Sequence, residues 1–129
     1  MTDPLALKGL RVLVVEDEMM VSMLLEDMLA DLGCVSVGPA SRLDEAMVLA
    51  ASQDFDCALL DVNLAHQQSF PLADRLVERK TPFAYATGYG TAGLRPQDKD
   101  AIILMKPFRE SDLIRVLGEM HARLKTLGD

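Results

Sequence analysis

The sequence predicts an α/β fold: a parallel sheet with helices packed on both of its faces. Two observations carry that prediction. Short apolar runs alternate along the whole chain with longer stretches of helical spacing, the pattern of repeated βα units. Chemistry-bearing residues also fall at the ends of the runs, and in a parallel sheet all strand C-termini share one edge, where ligands bind.

The elements follow in order. Residues 10–15, Leu-Arg-Val-Leu-Val-Val, make the first strand and run into Glu16, Asp17 and Glu18. Val21, Leu24, Leu25, Met28, Leu29 and Leu32 then recur at helical spacing, and Gly33 supplies a C-terminal stop. Residues 34–37 alternate like a strand, and Ser41 with Asp44 forms a capping-box-like start to a helix whose apolar face is Leu43, Ala46, Met47 and Ala50. The third strand, 57–60, ends at Asp61. Pro71 fits the first turn of the next helix, which Leu72, Ala73, Leu76 and Val77 continue. Strand four, 83–86, ends at Thr87, and strand five, 101–105, ends at Lys106 and Pro107. Leu113, Val116, Leu117, Met120 and Leu124 stripe a last helix, with Gly128 beyond it. Right-handed crossovers make this a doubly wound (βα)5 sandwich of the flavodoxin-like type, one domain over 1–129. One unit is weak. Between strands four and five, residues 88–96 hold Gly88, Gly90, Gly93 and Pro96. Glycine costs a helix interior about 1 kcal/mol and proline about 3. The fourth helix is therefore expected to be short or mobile, and a mobile element beside the active edge suits a switch.

The chain has 129 residues, half of them apolar, and a net charge of -7. That length fits one domain with a real core. The negative charge repels phosphate backbones and argues against nucleic-acid binding. Residues 1–4 lack the basic start of a signal peptide, and no apolar run approaches the ~20 residues that cross a bilayer. Cys34 and Cys57 lie in apolar segments and read as buried, reduced thiols of a cytoplasmic protein.

Three acids gathered at one sheet edge repel each other, by on the order of 4 kcal/mol per pair at ~4 Å and an effective dielectric near 20. A divalent cation removes that cost. Mg²⁺ prefers one or two carboxylates with water and phosphate oxygens, which makes Asp17 and Asp61 the best ligands, with Glu16 direct or through water. Asp61 can then act as a carboxylate nucleophile toward a phosphoryl group. Lys106 offers an ammonium and Thr87 a hydroxyl to the phosphoryl oxygens.

The segments VLVVEDE at 12–18, LLDVNL at 59–64, ATG at 86–88 and KPF at 106–108 resemble the response-regulator receiver domain over nearly the whole chain. The resemblance implies an acidic pocket of Glu16 and Asp17, a phospho-acceptor at Asp61, and a backbone carbonyl of Asn63 as a further metal ligand. It also implies that Thr87 and Lys106 bind the phosphoryl group and that the Lys106–Pro107 peptide is cis. The implied protein is a signalling phospho-acceptor rather than an enzyme acting on a separate substrate. Its donor is a sensor histidine kinase or a histidine phosphotransfer protein, its downstream partner an unknown protein, with no effector domain attached. Residues 82–90 resemble more narrowly the single-domain FATGUY receivers, with Tyr85 where that motif has Phe and Gly90 where it ends in an aromatic. Two further departures stand out. The usual switch aromatic, three residues before the lysine, is Ile103 here, and the loop after Asp61 lacks the usual Pro-Gly-rich turn. Tyr89, between two glycines and two residues after Thr87, is therefore expected to take part in the switch that Ile103 cannot perform. His66 reads as a surface loop residue. The other readings are a phosphorylation-independent adaptor, against which the complete acid, Thr and Lys set argues, and a flavin or nucleotide carrier. For the carrier, no glycine-rich fingerprint follows the first strand.

Overall fold

Five apolar runs become five parallel strands because strands buried on both faces need hydrocarbon on both. The computed structural model describes residues 3–127. Strands β1 (Arg11–Val15), β2 (Val35–Ala40), β3 (Cys57–Asp61), β4 (Phe83–Thr87) and β5 (Ile102–Met105) form one sheet in the order β2-β1-β3-β4-β5, every neighbouring pair parallel. This is the doubly wound, flavodoxin-like order. The order reverses between β1 and β3, so the crevice between the loops after these two strands is the natural ligand position.

Four α-helices complete the sandwich: α1 (Met19–Asp31), α2 (Leu43–Ser52), α3 (Phe70–Glu78) and α4 (Glu110–Leu127). One face of the sheet is covered by α1 and α4. Leu25, Leu29, Leu113, Val116, Leu117 and Met120 pack there on Val12, Val14, Leu59 and Leu104. The other face is covered by α2 and α3, with Ala46, Ala50, Leu72 and Leu76 packed on Leu13, Val15, Leu60 and Tyr85. Pro4–Leu7, a turn of 3-10 helix, drops Leu7 into the first face.

Several local expectations hold, and several need correcting. Gly33 ends α1 at a φ of 78°, and the Cys34 N–H reaches back to the Leu29 carbonyl at 2.9 Å, a Schellman stop. Pro71 stands in the first turn of α3. Cys34 and Cys57 are buried free thiols. In α1, however, Leu24 faces outward, and Ser22 is buried with its hydroxyl donating to the Met19 carbonyl. Val77 is exposed on α3. The start of α2 pairs Ser41 with Glu45, not Asp44: the Glu45 carboxylate accepts from both the Ser41 N–H, at 2.8 Å, and its hydroxyl. Asp44 instead holds Arg42.

β2 does not stop at Val37. It continues through a cis Gly38-Pro39 peptide to Ala40, and the register with β1 shifts there. Gly38 has a φ of 96°, and a Cβ at that position would stand 3.0 Å from the Ala40 nitrogen, so only glycine fits. Proline is tolerated because β2 is an edge strand. The fourth βα unit lacks an α-helix: between β4 and β5 the regular structure is one 3-10 turn, Pro96–Asp98, as the glycines of that stretch dictate. The loop after Asp61 closes by a two-residue antiparallel ladder, Asn63–Leu64 with Gln67–Gln68, and places Ala65 at a φ of 56°. Gly128 lies outside the described residues.

Candidate functional site

Strand-end residues converge because the strands are parallel and start in step. β1 delivers Glu16, Asp17 and Glu18, β3 delivers Asp61, β4 delivers Thr87 and β5 delivers Lys106. A cleft of about 490 Å³ is lined by Asp17, Glu18, Asp61, Asn63, Thr87, Gly88, Tyr89 and Lys106. Glu16 is buried behind it and reaches the cleft through Lys106.

The lysine organises the floor. Its Nζ donates to Glu16 Oε1 at 2.6 Å and stands 3.5 Å from Asp61 Oδ2. The backbone continues this ordering. The Lys106 N–H donates to the Thr87 carbonyl at 2.9 Å, and the Lys106–Pro107 peptide is cis, as the family resemblance implied. Asp17 Oδ2 accepts from the Ala65 N–H at 3.0 Å, so the loop after β3 is pinned to the end of β1. Glu16 Oε2 accepts from the Glu18 N–H at 3.1 Å. The Thr87 hydroxyl oxygen accepts from the Tyr89 N–H at 3.1 Å.

Electrostatics separates the carboxyls. Burial first, then the carboxyls of Glu16 and Asp17, push the Asp61 carboxyl up to about 8, although the Lys106 ammonium pulls the other way. For Asp17, burial acts upward, but the Ala65 N–H and then the Asp61 and Glu16 carboxyls outweigh it and hold the group below the usual carboxylate range. Burial acts downward on Lys106, yet its bond to Glu16 and the Asp61 charge hold the ammonium above its ordinary value. Burial and the neighbouring carboxyls thus set Asp61 apart from Asp17, the first pushed up and the second held low.

That arrangement fits a divalent cation. The carboxylates of Glu16, Asp17 and Glu18 each place an oxygen within 4.8 Å of the others. The upward push that burial and Glu16 exert on the Asp61 carboxyl reflects negative charge crowded beside them. An all-oxygen donor set of this kind suits Mg²⁺ rather than a softer metal.

Of the predicted residues, Asp17, Asp61, Asn63, Thr87 and Lys106 meet at the cleft, with Glu16 beneath. Tyr89 stands at the rim, 75% exposed. Ile103 does not reach the cleft; it packs on the α2–α3 face of the sheet, opposite Tyr85. His66 is an exposed loop residue. Glu18 was missed as a wall of the cleft. The signal was present, since it directly follows Glu16 and Asp17, but its side-chain direction depends on where α1 begins.

This chain belongs to the response regulator receiver domain family, which matches residues 12–117. It is thus a receiver domain of bacterial two-component signalling. It is 32% identical over 130 residues to the transcriptional regulatory protein PdtaR of Mycobacterium tuberculosis, covering 98% of this chain and 63% of PdtaR. Among solved structures it is similar to SdrG from Sphingomonas melonis Fr1, with 34% identity and a TM-score of 0.77 over 93% of this chain and 98% of SdrG. The receiver domain of the sensor histidine kinase PA1611 from Pseudomonas aeruginosa, solved with magnesium coordinated in its active-site cleft, shares the fold at 23% identity and a TM-score of 0.75. It covers 88% of this chain and 98% of that one.

Proposed function

We propose that this receiver takes a phosphoryl group from a phosphohistidine onto Asp61 in a Mg²⁺-dependent reaction. The observation that carries the reading is the position of the Asp61 carboxylate. It lines the cleft 3.5 Å from the Lys106 ammonium, together with Asp17, Glu18 and Thr87. An Asp61 oxygen attacks phosphorus, the P–N bond to imidazole breaks, the departing imidazole keeps the N–P electron pair and takes up a proton, and an acyl phosphate remains. Glu16 and Asp17, with Asp61 and the Asn63 carbonyl, would hold the Mg²⁺, which when bound neutralises charge on the phosphoryl oxygens. Lys106 orients those oxygens by charge, and Thr87 donates a hydrogen bond from its hydroxyl to one of them.

The donor in this proposal is a cytoplasmic sensor histidine kinase or histidine phosphotransfer protein. Output runs through contacts with a downstream protein, or the domain drains phosphoryl groups from another receiver. Residues 1–129 act as the receiver unit, and Tyr89 reports the state of Thr87 at the surface.

Intact-mass spectrometry with phosphoramidate as donor tests the reading. One phosphoryl adduct forms with Mg²⁺, none with excess EDTA and none in Asp61→Ala. Mg²⁺ binding without any adduct would instead favour a phosphorylation-independent adaptor.

A further inference from the structure

The segment after Thr87 is loose at its start and clasped at its far end. Residues 88–94 include three glycines, and Gly90 and Gly93 take φ values of 60° and 88°. At Arg95 that freedom stops. Its guanidinium donates to Asp98 twice, Nε to Oδ2 at 2.7 Å and Nη2 to Oδ1 at 3.2 Å. It also reaches Asp74 on α3, with Nη2 at 2.9 Å and Nη1 at 3.1 Å. The same group lies over the Phe70 ring, 4.5 Å from its centre. A planar cation held by two carboxylates and an aromatic face is a firm anchor.

Tyr85 lies beneath this clasp. The ring is fully buried, edge-on to Phe70 and Phe83 with centres 6.1 and 5.4 Å away. Its hydroxyl is the one buried side-chain polar atom among the described residues that makes no hydrogen bond of good geometry, although Arg95 and Asp98 stand near enough to act on it. Burial and then the Asp98 charge hold the phenol above its ordinary pKa, with Arg95 acting the other way, so both members of the clasp bear on it. Phenylalanine would fill the same space and leave no polar atom dry. Tyr85 is also two residues before Thr87, on the same face of β4, and opposite Ile103 across the β4–β5 ladder. The aromatic ring missing at position 103 thus sits one strand over, on the strand that carries Thr87.

We propose that Tyr85 is a positioning residue coupling the active edge to residues 88–101. When Thr87 turns toward a phosphoryl group on Asp61, the Arg95–Asp74 clasp opens, and a polar group that it frees takes the Tyr85 hydroxyl. This rests on the phospho-acceptor reading above. The unmodified form is penalised by an unpaired hydroxyl; the phosphorylated form satisfies it. A bound group shifts an equilibrium only through such a difference between the two states.

Two variants then act in opposite directions. Tyr85→Phe removes the penalty from the unmodified form and the gain from the phosphorylated one. Asp74→Asn weakens the exposed end of the clasp and frees the segment to move. The probe is beryllofluoride, a phosphoryl mimic, titrated with Mg²⁺ present and followed by ¹⁹F NMR. Tyr85→Phe should melt higher than the unsubstituted protein without ligand, yet bind beryllofluoride roughly tenfold more weakly. Asp74→Asn should bind it a few-fold more tightly. Mg²⁺ affinity without beryllofluoride should stay unchanged in both. Unaltered beryllofluoride affinity in Tyr85→Phe, or weaker or unaltered binding in Asp74→Asn, overturns the coupling. If either of those results is found while phosphoramidate still labels Asp61, the coupling alone falls and the phospho-acceptor reading stands. Absence of both beryllofluoride binding and the phosphoramidate adduct in the unsubstituted protein removes the phospho-acceptor reading and the coupling with it.

Discussion

The two faces of the sheet are built differently. Under α1 and α4 the packing is hydrocarbon against hydrocarbon: Leu25, Leu29, Val116 and Leu117 against Val12, Val14, Leu59 and Leu104. Under α3 and residues 88–101 the apolar layer is interrupted. No α-helix lies between β4 and β5, and Arg95 and Asp98 of that stretch form a polar cluster with Asp74 of α3. Beneath that cluster lies the Tyr85 hydroxyl. A close-packed apolar face has one arrangement, because any shift opens voids. Polar ties can be exchanged for others of similar strength, and glycines let the backbone follow. The contrast suits the proposed coupling, in which the acidic edge stays fixed while the segment after Thr87 rearranges.

Truncation should separate the faces most strongly. Leu117→Ala, on the fully buried side of α4, should cost about 3 kcal/mol in urea unfolding. Leu94→Ala, half-buried at the loose segment, should cost less than about 1.5 kcal/mol by the same rule of lost methylenes and partial collapse. Equal losses would erase the distinction. The active edge between the faces has a pH signature. Asp61 in the fold binds its proton more tightly than in the unfolded chain, with its pKa raised from 3.8 to about 8. The folded state therefore holds more protons in that window, and metal-free stability should fall as pH rises from about 4 to about 8. Mg²⁺ must displace the same proton, so its affinity should rise over the window, by at most roughly tenfold per pH unit. Melts in EDTA and Mg²⁺ titrations at several pH values read both trends. Metal-free stability that climbs across the window would show that Asp61 is not the protonated member. The smallest effect is expected at the rim of the clasp. The Asp74 side chain is 58% exposed, so Asp74→Asn should change unfolding stability by less than about 1 kcal/mol. A larger loss would make the clasp a part of the rigid frame.

Much of this was legible in the residues because it is local. A continuous apolar run fixes where a strand ends, and the residue after it is then placed at the common edge. Asp61, Thr87 and Lys106 were readable for that reason. The missing fourth helix was readable from its glycines. The extent of the second strand was not legible: the alternation ends at Val37, whereas the edge strand runs on through Gly38 and Pro39 with a bulge. Ser41 chose Glu45 over Asp44 because the helix begins one residue later than the capping box requires, a boundary that sequence fixes poorly. The Arg95 clasp was invisible. It joins positions 74, 95 and 98 over the ring of Phe70, and no local pattern reports a contact made across 21 residues.

Mapping the phosphoryl group tests the central claim most directly. The protein is treated with phosphoramidate and Mg²⁺, reduced with borohydride, which converts an aspartyl phosphate to homoserine, and digested for peptide mass spectrometry. The account predicts homoserine at position 61 alone, and none when EDTA replaces Mg²⁺. Homoserine at Asp17, a phosphoryl group retained on His66, or labelling that persists in EDTA would contradict it.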